Sequence, residues 1–439
     1  MAAQSTLASL PPALVAQRIL ALLPVDARAR AATVCRGWRD ALADARLWTR
    51  LDLSDTSGVT CRVNDGALRA AAARAGGALQ ALDLRRAGEP FDRAAVLQVV
   101  QANAGTLREL RAEHSAIFNN DTLTPLLRAT PELRVLSADI SCSLDQAPTL
   151  LRNEPPYGPL RLYTLRLLPL AHGHDNAGQD EALVLALAAA LPAHASLRSL
   201  EFCLTHLESD AACGALVDAL LAVRLTLLGL WGCHTTPATA SALARLLSGN
   251  MLTELRLHTC LGLLDEAPSV ARLAAALRAN TTLTTLSLAD LSLWTRVPLP
   301  GAVLLGALTG HPSLKRLTHR RNHVFGPVAA AAGDALGVLV AANAHALTEL
   351  DISHCRMLDE ALGPLCDALP RNTHLRILDV SDNPLSAAFA AERLLPAVRA
   401  NASLRQLRAI GYLHSPALGE AMALVSARAT TEVTAAAED

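Results

Sequence analysis

Cysteine and histidine fall close together at three places in this chain: Cys233 beside His234, Cys260 two residues after His258, and Cys355 after His354. Thiolate and imidazole are donors that zinc prefers, but structural zinc sites gather them in local pairs such as C-x-x-C, which the sequence lacks. No metal and no cofactor is therefore expected. The nine cysteines are scattered and odd in number, which speaks against the disulfide framework of a small secreted domain. A Walker loop ends in Gly-Lys, and the only lysine, Lys315, follows Leu314. The G-x-S-x-G, H-E-x-x-H and G-x-G-x-x-G motifs are also missing, so the chain is not expected to be an enzyme.

What the three cysteines share is position. Each is the ninth residue of a segment that opens with an L-x-x-L-x-L phrase, a place taken by Asn322 and Asn383 in other copies. The phrase begins at Trp48, Leu79, Leu107, Leu133, Leu162, Leu197, Leu225, Leu252, Leu283, Leu314, Leu347, Leu375 and Leu404, a spacing of about 30 residues. That is the long end of the leucine-rich-repeat range. An Asn or Cys at the ninth position can bond the backbone of the turn leaving the strand, so the cysteines read as rungs of a structural ladder.

The elements that carry this ladder follow from two periodicities. Apolar and polar residues alternate through each phrase, which predicts a short strand. The Ala- and Leu-rich stretch behind it, as in residues 269–280, has helical spacing and strong helix formers. Many such stretches stop at asparagine: Asn103, Asn250, Asn280, Asn343, Asn372 and Asn401. Asparagine tolerates the left-handed conformation of a helix end, so these residues are expected to be C-caps. The sum is an α/β leucine-rich-repeat solenoid, a horseshoe with a parallel sheet inside and helices outside. Its period and its A-N-x-x-L-x-x-L-x-L join resemble the ribonuclease-inhibitor-like subclass over roughly residues 48–426.

Ahead of the repeats, residues 8–48 form a separate module. Leu10-Pro11 opens a stretch with apolar residues at Leu14, Val15, Ile19, Leu22 and Leu23, an amphipathic helix with a proline-marked start. Asp26 can cap a second helix over residues 27–32. Val34-Cys35-Arg36-Gly37-Trp38 and Leu47-Trp48 complete the module. Three short helices cannot bury all of this apolar surface by themselves, so part of it must meet something else.

Leu10-Pro11, Ile19-Leu20, Leu23, Asp26, Val34-Cys35-x-x-Trp38 and Leu47-Trp48 together resemble an F-box, with departures at Ala13, where the family often has Glu, and Ala27, where it usually has Leu. The resemblance implies an all-α module that binds a Skp-type adaptor through Leu10, Pro11, Ile19, Leu20, Leu23, Val34 and Cys35. Trp38 and Trp48 are expected to hold the module together and join it to the first repeat. It further implies the substrate-recognition subunit of an SCF-type ubiquitin ligase, linked through the adaptor to a cullin and holding a protein substrate on the concave face. The alternative is an adaptor-independent binder, such as an inhibitor or a regulator of a small GTPase, whose N-terminal helices merely cap the solenoid.

Substrate recognition is expected where the strand residues face inward. The column just after the third leucine position reads Leu168, Cys203, Trp231, His258, Ala289 and Arg320 through the middle of the chain. Its apolar run, with Gly229 leaving room beside Trp231, marks Leu168, Cys203, Trp231, Arg256, His258 and Arg320 as the recognition residues, since Trp and Arg are enriched at hot spots. The loops at residues 293–296 and at His319–His323, the second locally basic, could form its rim.

Net charge is −1, so phosphate-driven binding of nucleic acid has little support. No apolar stretch is long enough for a membrane span, and Ile19 to Pro24 is too short for a signal sequence. A soluble intracellular protein, cytoplasmic or nuclear, is expected. One lysine stands against 38 arginines. Arginine replacing lysine in a GC-rich coding sequence explains this, and so does a ligase subunit that avoids modification by its own machinery. Residues 49–426 are read as the solenoid, closed by a helix over residues 415–425, and 427–439 as a disordered tail.

Overall fold

The second leucine of each phrase lies in register with that of the next. Leu51, Leu82, Leu110, Leu136, Leu165 and Leu200 form one such column, and Leu228, Leu255, Leu286, Leu317, Leu350, Leu378 and Leu407 form another. All of them are buried. The structure, a computed structural model, describes residues 20, 23, 27–28, 31, 34, 36–54, 64–85, 92–112, 126–140, 162–169, 177–203, 206–207, 209–260, 262–264, 266–291, 300–323, 327–411 and 415–438. The two columns belong to two units, Met1–Gly173 with Ala189–Phe202, and His174–Ala188 with Cys203–Asp439.

In the first unit, helix α1 (Arg36–Ala41) and a 3-10 turn (Ala45–Trp48) lead into strand β1 (Arg50–Asp52). Helix α2 (Asp65–Arg74), β2 (Ala81–Asp83), α3 (Arg93–Ala102), β3 (Glu109–Ala112), β4 (Val135–Ile140), β5 (Thr164–Pro169) and β6 (Ser199–Cys203) follow. These strands are parallel, each beside the next in sequence. Asn64 and Asp92 cap α2 and α3 by accepting from the N–H groups of Ala67 and Ala94, which would otherwise lack partners.

The second unit holds α4 (Ala177–Ala190), a two-strand ribbon of β7 (His206–Leu207) and β9 (His234–Thr235), and a parallel sheet beginning with β8 (Leu227–Trp231). The sheet continues as β10 (Glu254–His258), β11 (Thr285–Ala289), β12 (Arg316–Thr318), β13 (Glu349–Asp351), β14 (Ile377–Asp379) and β15 (Gln406–Arg408). Between the strands lie α5 (Asp210–Ala222), α6 (Pro237–Ser248), α7 (Ala267–Ala279), α8 (Pro300–Ala307), α9 (Pro327–Ala341), α10 (Asp359–Ala368), α11 (Ala387–Phe389) and α12 (Leu395–Ala400). Neighbouring helices pack on one another, most closely α9 on α10. A Cβ at Gly333 would stand 2.1 Å from the Ala361 carbonyl oxygen, and one at Gly337 would stand 2.7 Å from Pro364.

The recurring asparagines do something other than the expected C-cap. Only Asn250 and Asn343 take the left-handed conformation. Asn280, Asn372 and Asn401 are extended and buried. Their side chains staple one repeat to the next. Asn280 Nδ2 donates to the Leu247 carbonyl one repeat back at 2.7 Å, and its Oδ1 accepts from the N–H groups of Thr282 and Leu283 at 3.0 and 2.8 Å. Asn372 does the same with Val340, His374 and Leu375. An amide carries both donor and acceptor, so one side chain satisfies a helix-end carbonyl and the turn that follows it.

A left-handed conformation does recur, at the eighth residue of successive repeats: Gly232, Thr259, Asp290, Arg321, His354 and Asp382 all have φ between 54° and 64°. Thr259, at φ 54°, is the strained member because a β-branched side chain is rare in this region. Thr259→Gly, which copies Gly232 one repeat earlier, is expected to stabilise the fold by about 1 kcal/mol, measured as a higher urea midpoint.

The chain end differs from expectation. Helix α13 (Pro416–Glu438) continues through the segment read as a disordered tail, because its Ala-rich composition favours helix. Arg428 anchors it by donating to the carbonyls of Asn401, Val398 and Arg399 at 2.6, 3.1 and 3.2 Å.

Candidate functional site

Of the residues expected to meet an adaptor, Leu10, Pro11, Ile19 and Cys35 lie outside the described residues, as do most of the two helices read over 10–32. Val34 is 65% exposed, an aliphatic side chain left in water. Leu23 is half-buried. Leu20 is a correction: it is fully buried and cannot contribute to an open face. Its carbonyl accepts from Arg28 Nε at 3.0 Å, and another nitrogen of the same guanidinium donates to the Leu47 carbonyl. Burial pulls the pKa of Arg28 below its ordinary value. The guanidinium thus ties the start of the module to its end.

Trp48 serves both the module and the first repeat, as expected. Its ring is 1% exposed, its Nε1 donates to the Leu42 carbonyl at 2.8 Å, and the guanidinium of Arg74 on α2 lies 4.8 Å over it. Trp38 is half-buried on α1.

Strands β8 and β10 bring two of the expected recognition residues together. Their register places Trp231 beside His258, with ring centroids 4.0 Å apart and planes tilted by 47°. Both are half-exposed, and His258 Nε2 hydrogen-bonds Ser287 Oγ on β11 at 2.8 Å. Arg256 shares this face but is paired with Glu254 of its own strand at 2.6 Å. Ala289 continues the column and is buried. Arg320 is not part of this cluster. It donates to His354 Nε2 at 3.1 Å, and His354 Nε2 lies 2.9 Å from the Asp382 carboxylate. Sequence columns missed this chain because it crosses from the seventh residue of one repeat to the eighth of the next two. Leu168 and Cys203 stand at the expected places on β5 and β6, but their side chains lie outside the described residues, as does the rim loop 293–296.

The basic rim at His319–His323 needs revision. His319 occupies the third leucine position of its phrase and is buried, and desolvation pushes its pKa down to about 4, so it is a neutral core group. His323 is exposed. Arg320 and Arg321 remain exposed.

The cysteine ladder forms as read. Cys355 Sγ donates to the carbonyls of His319 and Ser353 at 2.9 and 3.5 Å, and burial pushes its thiol up to about 12. Cys260 meets the carbonyls of Leu230 and His258, while Asn322 and Asn383 bond Leu288 and Ile352 in the same way. Several aspartates of the inward column also serve the backbone. Asp52, Asp83, Asp351 and Asp379 each accept from the N–H two residues on, which turns the strand exit. In the first unit, Arg166 and Glu201 pair across β5 and β6 at 3.6 Å, both largely buried. The signal for that pair was opposite charge in one column of adjacent repeats.

Comparison with known proteins follows the same division. The family model described as F-box-like matches residues 7–54, and the one described as Leucine Rich repeat matches residues 343–366 and 371–388. No curated protein matches the chain. Among solved structures, a chain of the yeast complex of Rad7 and Elc1 is matched at 14% identity with a TM-score of 0.49. That match covers 82% of this chain and 94% of that one. A TLR13 complex with ssRNA13 is 15% identical with a TM-score of 0.40, over 75% of this chain and 37% of that one. No helix among the described residues is long and apolar enough to cross a membrane. The chain thus carries an F-box-like domain near its N-terminus and leucine-rich repeats behind it.

Proposed function

We propose that the chain is the substrate receptor of an SCF-type ubiquitin ligase, a non-catalytic subunit that binds a Skp-type adaptor and, through it, a cullin. The observation that carries this reading is the F-box-like match at residues 7–54, running directly into the repeats. The exposed Val34 is compatible with it, since an adaptor would cover an aliphatic side chain open to water. The receptor acts by proximity: a substrate held on the repeats sees a high effective concentration of the conjugating enzyme, which does the chemistry. Trp231 with His258 is the proposed anchor for the substrate, a half-exposed aromatic pair on the open sheet face of the second unit.

Co-purification tests the two halves separately. The intact chain is expected to carry a Skp-type adaptor through gel filtration, and Val34→Asp and Leu10→Ala/Ile19→Asp to lose most of it. Trp231→Ala should keep the adaptor. An intact, folded chain that takes up no adaptor would leave a free-standing interaction scaffold, and the N-terminal helices only a cap.

A further inference from the structure

We propose that this chain is depleted of lysine so that it escapes ubiquitin transfer to itself, and that Lys315 is the one side chain on which such transfer can occur. The inference rests on the receptor reading above. In the transfer, a lysine ε-amine attacks the thioester carbonyl joining ubiquitin to a conjugating enzyme. The amide C–N bond forms, the C–S bond breaks, and the thiol leaves with the proton given up by the amine. A guanidinium cannot replace the amine, because its electron pair is delocalised and it stays protonated.

The chain has 38 arginines and one lysine, and their placement separates two causes. Some positions require a guanidinium. Arg85 grips both oxygens of Asp83 through Nε and a terminal nitrogen, and Arg428 spans three carbonyls, geometries that a point-charge ammonium cannot reproduce. Other positions do not. Arg69 on α2, Arg278 on α7 and Arg371 after α10 are exposed and make no ion pair among the described residues, so a lysine would serve there equally. Structure therefore does not explain why these are arginine.

Base composition accounts for part of the scarcity, since Phe, Tyr and Met, whose codons are also poor in G and C, number only 5, 3 and 4. Lysine is scarcer still, and the 13 asparagines, whose codons share its first two bases, include those held in place by the buried hydrogen bonds described above. The remaining lysine is accessible on a rigid segment: Lys315 is exposed, its N–H donates to the Thr284 carbonyl at 2.8 Å, and its carbonyl accepts from Thr348 and Glu349 at 2.9 and 3.0 Å.

The test reconstitutes the full chain with a Skp-type adaptor, a cullin–RING pair, ubiquitin and a charged conjugating enzyme. Adaptor binding is measured first on the same samples. Wild type should be modified slowly, with side-chain attachment mapped by mass spectrometry to Lys315 alone, and Lys315→Arg should abolish that attachment. Arg69→Lys/Arg278→Lys/Arg371→Lys, which keeps charge and fold, should be modified at least severalfold faster and at the new sites. With adaptor bound, a triple variant no faster than wild type, or a wild type already modified rapidly, overturns the lysine proposal and leaves the receptor reading intact. Failure to bind adaptor overturns both, and is seen at the first step.

Discussion

Asn401→Ala is expected to destabilise the protein by about 4 kcal/mol. Asn401 Nδ2 donates to the carbonyls of Leu369 and Asn372, both at 2.8 Å, while Oδ1 accepts from the N–H groups of Ser403 and Leu404 at 2.9 and 2.8 Å. Alanine removes every one of these partners at a residue that is 1% exposed. A buried group left unsatisfied costs about 1–3 kcal/mol, and partial rescue by water or by Arg428, which also donates to the Asn401 backbone, keeps the total below the sum. The staple joins the last two repeats, so its loss weakens an interface as well as a turn. Histidine is the informative second variant. His311 holds the equivalent place before Leu314, where its Nδ1 accepts from Ser313 and Leu314 at 3.4 and 3.2 Å. Asn401→His should therefore cost less than Asn401→Ala in urea unfolding followed by circular dichroism. Equal loss for the two would mean that shape, not hydrogen bonding, sets the position.

Acidification gives the second large effect, through His319. Burial lowers its pKa from the ordinary value of 6.5 to about 4 in the folded state. Above pH 6.5 the ring is neutral in both folded and unfolded chains and contributes nothing to pH dependence. Between about 6.5 and 4 the unfolded chain takes a proton that the folded chain refuses, so stability falls as pH falls. At about 1.4 kcal/mol per pH unit the loss reaches about 3 kcal/mol and then levels off. His311, whose pKa burial also lowers, acts with the same sign. His319→Leu restores the leucine of the repeat and should flatten the wild-type curve by about that amount when urea midpoints at pH 7.5 and 4.5 are compared. Parallel curves for the two proteins would show that the ring is not held neutral.

The repeat was legible in the sequence because each leucine column has one job in every repeat. Strand, register and the Cys and Asn ladder all follow from fixed spacing. Asparagine before the phrase was misread because two mechanisms use the same residue: a left-handed helix end, as at Asn250, and a buried amide staple, as at Asn280. Burial separates them, and the sequence does not show it. His319 misled in the opposite way, since its neighbours are charged while its column is core. Trp231 and His258 could be paired in advance because they occupy the same place in adjacent repeats. Arg320 and His354 could not, because their contact crosses columns. Leu20 shows the limit of a helix pattern: an apolar residue read onto an open face can be fully buried.

The central claim, that the N-terminal module docks an adaptor, is tested most directly by titrating a purified Skp-type adaptor into the full chain in a calorimeter, with Val34→Asp in parallel. The account predicts a saturable one-to-one complex for wild type and at least a tenfold weaker one for the variant, whose exposed position spares the fold. No binding by a folded wild-type chain, or equal binding by both proteins, would contradict it.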